Sequence, residues 1–251
     1  MTIKQPAYGD IPALGQLWKQ AFGDSDEFIA SFFNTGFAPQ RSRCVFVQGL
    51  PVAMLYWFDC SCRGERLAYL YAVATDKAFQ GKGLCHQLMA DTHAHLERLG
   101  YAGTVLVPGN EGLFRLYADM GYEAFGGLNE FSCEAPARAS VLRRLTPEEY
   151  ARLRRDHLPA GGVEQEGPLL DLLGMHAEFY AGEDFLLAAY QEADALTVPE
   201  LLGNAAAAPN ILGALGAKRG SFRTPGSSRK FAMYRGISQT TPPTYFGLAL
   251  D

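Results

Sequence analysis

Val73-Ala74-Thr75-Asp76-Lys77-Ala78-Phe79-Gln80-Gly81-Lys82-Gly83-Leu84-Cys85 joins an apolar run to an amphipathic one through a polar, glycine-rich turn. The first part reads as the end of a strand, and the residues from Gly83 onward as a helix, with Leu84, Leu88, Met89, Leu96 and Leu99 on one face. Glycines at 81 and 83 let the backbone approach a ligand closely, and the first amides of the helix have no internal partner. Strand, glycine turn and helix start together predict a phosphate cradle. Two familiar cradles are excluded: a G-x-G-x-x-G fingerprint requires glycine where His86 stands, and a G-x-x-x-x-G-K-[ST] loop does not occur here. What remains is Gln80-x-x-Gly83-x-Cys85.

Downstream, Gly103-Thr104-Val105-Leu106-Val107 reads as a buried β-branched strand and Pro108-Gly109-Asn110 as a break. Glu111 to Met120 then forms a helix that ends at Gly121 and contains Leu116-Tyr117. Upstream, residues 2 to 6 read as a strand, and Asp10 as the cap of a helix bearing Ile11, Leu14, Trp18, Ala21 and Phe22. Phe28, Ile29, Phe32 and Phe33 form a short aromatic helix. Cys44 to Gln48 and Val52 to Phe58 pair across Gly49-Leu50-Pro51, and Leu67 to Thr75 leads into the glycine loop. His93 and His95 are expected at the surface of the long helix.

These motifs resemble the GNAT superfamily of acetyl-CoA-dependent N-acetyltransferases. Gln80-x-x-Gly83-x-Cys85 is similar to its [QR]-x-x-G-x-[GA] pyrophosphate loop, with Cys85 where Gly or Ala is usual. Leu116-Tyr117-Ala118-Asp119-Met120-Gly121-Tyr122 is similar to its L-Y-x-x-x-G-[FY] helix end. The resemblance implies an α+β fold with a mixed sheet that is splayed between the strand ending at Thr75 and the strand at 103–107, with acetyl-CoA in the gap. It implies cofactor alignment by main-chain groups of Val73, Ala74 and Thr75, and pyrophosphate binding by Gln80, Gly81, Lys82, Gly83, Leu84 and Cys85. Asn110 is implied at the pantetheine arm, and Tyr117 as the group that protonates or positions the departing thiolate. The aromatic helix at 28–33 would border the acceptor pocket, or simply pack the core.

Transfer of an acetyl group to an amine also needs a base. Many relatives place a carboxylate on the strand before the loop. Here that strand offers Tyr69 and Tyr71, with no Asp, Glu or His between Leu67 and Thr75. Ordered water is one answer; the carboxylate of Asp251, which in a different two-part subgroup reaches the active site, is another. The implied activity is acetyl transfer to a primary amine of a small molecule or peptide, with a non-catalytic acyl-CoA sensor as the alternative.

At 251 residues and 48% apolar composition the chain can build one large or two small cores. A net charge of −5 without a long basic run argues against nucleic acid and anionic membranes as partners. The N-terminus lacks a signal-peptide core and no segment is long and apolar enough to span a bilayer, so a cytoplasmic protein is expected. Five cysteines without a C-x-x-C pair suggest neither a disulfide framework nor a metal site, and Cys60 and Cys62 should share one strand face.

After Phe131, Ser132 to Ser140 reads as a linker between an acetyltransferase domain at 1–134 and a second, smaller α+β domain at 141–251. Thr146-Pro147-Glu148-Glu149 is a helix start. Strands are expected at Phe185 to Tyr190, Ala195 to Val198, Lys230 to Tyr234 and Tyr245 to Leu250, with a helix near 204–215. Leu212-Gly213-Ala214-Leu215-Gly216-Ala217 echoes Tyr117-Ala118-Asp119-Met120-Gly121-Tyr122, so the second half reads as a decayed copy that has lost the glycine loop. Residues past 85 carry no second Gln-x-x-Gly-x-Gly pattern.

Overall fold

In the computed structural model, which describes residues 1–135, 140–238 and 241–250, the chain opens with β1 (Thr2–Lys4), α1 (Ile11–Phe22) and α2 (Asp26–Ser31). An antiparallel meander of β2 (Ser42–Val47), β3 (Leu50–Cys62) and β4 (Glu65–Thr75) follows. Then come α3 (Leu84–Arg98), β5 (Gly103–Leu106), α4 (Glu111–Asp119) and β6 (Glu123–Glu134). The second half contains β7 (Arg143–Leu145), α5 (Pro147–His157), β8 (Glu164–Gln165), α6 (Pro168–Gly174), β9 (Glu178–Ala181) and β10 (Phe185–Glu192). It continues with β11 (Ala195–Gly203), α7 (Ala208–Leu215), β12 (Arg219–Pro225) and β13 (Arg229–Gly236).

The strands form one sheet in the order β1-β2-β3-β4-β5-β13-β6-β12-β11-β10-β9-β7, with β8 paired to β3. Read from both ends, this order is a near-palindrome. β1 to β5 in the first half match β7, β9, β10, β11 and β12 in the second, and β6 and β13 cross over to lie beside the other half's strands. The parallel pair β4–β5 has its counterpart in β11–β12. Gly103 shows how closely the exchanged strand fits: a Cβ there would lie 2.6 Å from the Tyr234 ring of β13, so β5 holds that ring only by lacking a side chain.

Two local features strengthen the repeat. Between Met54↔Ala74 and Tyr56↔Tyr71, β4 has two residues, Ala72 and Val73, opposite Leu55. Between Ala188↔Glu200 and Tyr190↔Thr197, β11 has Val198 and Pro199 opposite Ala189. Both are β-bulges at equivalent places. The bulge also explains why β11 continues to Gly203 instead of stopping at Val198 as expected, because a bulge is one of the few strand positions that accommodates proline. In addition, Leu96-Glu97-Arg98-Leu99-Gly100 and Leu212-Gly213-Ala214-Leu215-Gly216 close α3 and α7 in the same way. Tyr101 N donates to Leu96 O and Ala217 N to Leu212 O, each at 3.0 Å. α4 closes with the same bond, from Tyr122 N to Tyr117 O, but α7 lies between β11 and β12 as α3 lies between β4 and β5, so by position its counterpart is α3. The second half turns directly from β12 into β13 and has no counterpart of α4.

Other expectations need correction. β6 runs through Glu134, so Ser132 to Glu134 pair with β12 instead of linking domains, and 136–139 lie outside the described residues. Tyr245 to Leu250 is not a strand; a single bridge, Gly162↔Tyr245, joins it to the loop after α5. Asp10 flanks α1, but its carboxylate accepts from Ala7 N at 2.8 Å rather than from a helix amide. The Thr146 start is realised in full, with Thr146 Oγ1 accepting from Glu149 N and Glu149 Oε2 from Thr146 N.

Each face of the first half's sheet has its own core. One holds Trp18, Phe32, Tyr56, Phe58, Cys60, Cys62 and Tyr69 beneath α1 and α2, and the other holds Leu70, Leu84, Leu88, Leu96 and Tyr117 beneath α3 and α4. Cys60 and Cys62 thus share a face as expected. No described helix is long and apolar enough to cross a membrane.

Candidate active site

β4 and β5 pair at Leu67↔Gly103, Ala68↔Thr104 and Tyr69↔Val105, and beyond these positions they part. The bulge lies where they separate. Ala72 takes φ +49°, uncommon for a residue with a side chain, and the alternation of β4 shifts by one residue. Tyr69 and Tyr71 face the α1 side, and after the bulge so do Ala72 and Ala74, while Leu70 and Val73 face α3. Asp76 N donates to Val52 O, so by alternation Ala74 addresses β3 and the main-chain groups of Val73 and Thr75 address the gap. Nothing in the residue pattern signals the bulge. An unbroken apolar strand shows no alternation from which a shift could be read, and alanine does not signal a positive φ.

The glycine loop closes the mouth of the gap. Gly81 and Gly83 have φ +73° and +74°, and no atom lies within 4 Å of the place where a Gly81 side chain would begin. The first internal bond of α3 runs from Gln87 N to Gly83 O at 3.1 Å, which leaves the amides of Leu84, Cys85 and His86 without a helical acceptor. Gln80 Nε2 donates to Thr75 O at 3.0 Å, tying the loop back to the end of the strand. Gln20 of α1 accepts from Lys77 N at 3.3 Å and braces the loop's other side. Lys82 folds onto the loop, with Nζ 2.9 Å from Ala78 O and 4.7 Å from the Phe79 ring centre. Leu84 is buried and offers the gap only its amide. Cys85 is half-buried, and desolvation pushes its thiol up to about 11, so it remains protonated near neutrality.

Asn110 caps α4, its Oδ1 accepting from Leu113 N at 3.0 Å. That bond occupies the oxygen and leaves the amide NH2 for other partners. Tyr117, in the last turn of α4, is 6% exposed, and its ring meets the Tyr122 ring edge-on at 5.8 Å. Burial, then the nearby Cys85, pushes its phenol above the usual tyrosine range. Among the described residues only Arg41 Nε is a fully buried side-chain polar atom without a partner, so the Tyr117 hydroxyl keeps some access to solvent.

One further feature was not anticipated. His93, expected at the surface, is 6% exposed. Its Nε2 lies 2.8 Å from Tyr122 Oη and 3.3 Å from Thr104 Oγ1, and its Nδ1 lies 2.8 Å from Arg235 Nη1. Desolvation, then the Arg235 charge, lowers its pKa to about 3, so the ring stays neutral. The helical spacing Met89–His93–Leu96 would have placed it on the buried face had the residue type not argued otherwise.

The chain's tail also reaches the site. The Phe246 ring packs tilted against Tyr69 at 4.8 Å between centres, and Leu250 N lies 3.4 Å from Tyr69 Oη. Asp251, the base suggested by resemblance, lies outside the described residues. Of the aromatic helix, Phe32 is fully buried core, whereas Phe28, Phe33 and Tyr71 are only half-buried at the edge of the same cluster. A separate cavity of about 750 Å³ lies in the second half, bounded by Arg143, His157, Asp184 and Asn204, away from the loop.

Residues 2–125 match the family model of the acetyltransferase (GNAT) domain. No curated protein matches the sequence. Among solved structures, a GCN5-related N-acetyltransferase from Anabaena variabilis superposes with a TM-score of 0.74 at 14% identity, over 94% of this chain and 73% of that one. A putative acetyltransferase from Pyrococcus horikoshii gives 0.67 at 16% identity over 94% and 89%, respectively. A tandem GNAT protein from the clavulanic acid biosynthesis pathway gives 0.60 at 10% identity over 96% and 99%. With the splayed strands, the loop and the family match all in the same place, residues 2–125 of this chain are an acetyltransferase domain of the GNAT family.

Proposed function

We propose that the chain transfers an acetyl group from acetyl-CoA to a primary amine of a small molecule or peptide, by direct attack in the gap between β4 and β5. One observation supports the reading: β4 and β5 stop pairing after Tyr69↔Val105, and Val73, Cys85 of the open glycine loop and the nearly buried Tyr117 belong to one cluster on that face of the sheet. In this reading the amides at 81–85 and the N-terminal dipole of α3 hold the pyrophosphate. Gln80 keeps the loop in place, Asn110 offers its NH2 to the pantetheine arm, and the 73–75 main chain aligns the thioester. The amine lone pair attacks the carbonyl carbon, a β4 amide stabilises the oxyanion, and the C–S bond breaks as the thiolate takes the Tyr117 proton. Burial raises the phenol, and desolvation shifts the CoA thiol in the same direction once both share the gap. Between Leu67 and Thr75 β4 carries no Asp, Glu or His, so in this reading the amine proton passes to ordered water. In this reading the chain is two units, 1–134 and 141–251, that exchange a strand, and among the described residues only the first has the loop and α4.

The test is release of free CoA from acetyl-CoA over a panel of amines. The lack of a base on β4 also favours a second reading, a module that binds acyl-CoA without transfer; tight binding with no release over the panel would support that instead. Either reading requires the loop. Gly83→Asp places a carboxylate where the phosphates should lie, and acetyl-CoA affinity measured by calorimetry is expected to fall roughly tenfold or more. Unchanged affinity would remove the loop from the site.

A further inference from the structure

We infer that Arg235, on the strand contributed by the second half, is a positioning residue for Tyr117 and acts through His93 and Tyr122. The inference rests on the reading of Tyr117 as the proton donor. β13 enters the sheet beside β5 with Arg235 paired to Thr104, which brings the guanidinium to the buried face of α3. Guanidinium can only donate, so the 2.8 Å contact makes His93 Nδ1 the acceptor and places the ring's single proton on Nε2. That proton points at the Tyr122 hydroxyl 2.8 Å away, and the hydroxyl lies 2.8 Å from Thr104 Oγ1. His93, Thr104 and Tyr122 are all at least nine-tenths buried, so the bonds among these three are shielded from water, while the Arg235–His93 bond is part-buried.

Tyr122 is bound to Tyr117 in two ways. Its amide donates to Tyr117 O at 3.0 Å in the helix-ending turn, and its ring buttresses the Tyr117 ring. The first half thus supplies the phenol, and the second half fixes the direction in which it points. The arrangement gives β13 a role beyond completing the sheet. Without the Arg235 donor, His93 is free to take the other tautomer, Tyr122 loses its donor, and the Tyr117 ring loses its backing.

Three measurements on the full chain test this. Nitrogen NMR of the wild-type protein should show His93 protonated at Nε2 and bare at Nδ1; the opposite tautomer overturns the inference and needs no variant. Arg235→Met should slow single-turnover acetyl transfer roughly ten- to a hundredfold through misalignment, with acetyl-CoA affinity within about twofold of wild type. Arg235→Lys, which keeps a donor, should recover most of the rate. A rate loss that Lys fails to recover, or one that follows lost affinity, marks Arg235 as merely structural and overturns the inference. Placed in a Tyr117→Phe background, Arg235→Met should add little; full additivity also overturns it. A slow Tyr117→Phe with a normal Arg235→Met rejects only the role of Arg235, whereas a fast Tyr117→Phe rejects the reading of Tyr117 itself.

Discussion

Tyr117→Phe should slow the acetyl-transfer step by ~100-fold or more, the usual worth of general acid catalysis, while acetyl-CoA affinity stays near wild type. The substitution removes only a hydroxyl for which no hydrogen-bond partner appears among the described residues, and the ring's edge-on contact with Tyr122 survives. Folding should therefore be unaffected, and thermal denaturation provides the control. Single-turnover kinetics with a confirmed amine is the right assay, because slow product release would mask a slower chemical step. A full-speed step in the variant would leave Tyr117 as a core aromatic and assign thiolate protonation to water.

The second large effect concerns stability. Arg154 and Glu200, 1% and 0% exposed, form a two-pronged pair at 2.7 and 2.9 Å, and the Tyr150 and Tyr245 hydroxyls complete the carboxylate's bonds. Arg154→Met leaves Glu200 charged and largely unpaired in the interior, which is expected to cost about 3–5 kcal/mol. For a chain of this size, that lowers the melting temperature by about 10 °C. Arg154→Met with Glu200→Leu should recover much of the loss, because the buried pair also carries a desolvation penalty. If the single variant melts at the wild-type temperature, the pair contributes nothing. Glu200 occupies in β11 the register that Ala74 occupies in β4, so the second half carries a buried ion pair where the first half carries a small apolar side chain.

Much of the first half was legible because its signals are local. Gly81 and Gly83 need positive φ, Asn110 precedes a helix, and Thr146 and Glu149 stand at capping distance, so each feature is written within a few residues. The features that escaped depend on partners far along the chain. β12 carries a single large apolar residue, Phe222, and is a strand only because β6 and β11 flank it. The tail alternates like a strand, yet it is held by Tyr245 on Glu200 and by Gln165 donating to Leu248 O, contacts that its own sequence does not announce. His93 was misplaced for a similar reason: whether an imidazole is buried depends on the partners that await it, and one of these, Arg235, lies in the other half.

The exchanged strand also bears on biosynthesis. β5 is made long before β13, and their Gly103↔Gly236 pairing spans more than half of the polypeptide. Until the ribosome has delivered the second half, one edge of β5 lacks its native partner, and unpaired strand edges are where nascent chains stick to one another. Contacts so distant in sequence also form slowly. The β5 side of the cleft is therefore completed only after translation of the last strand.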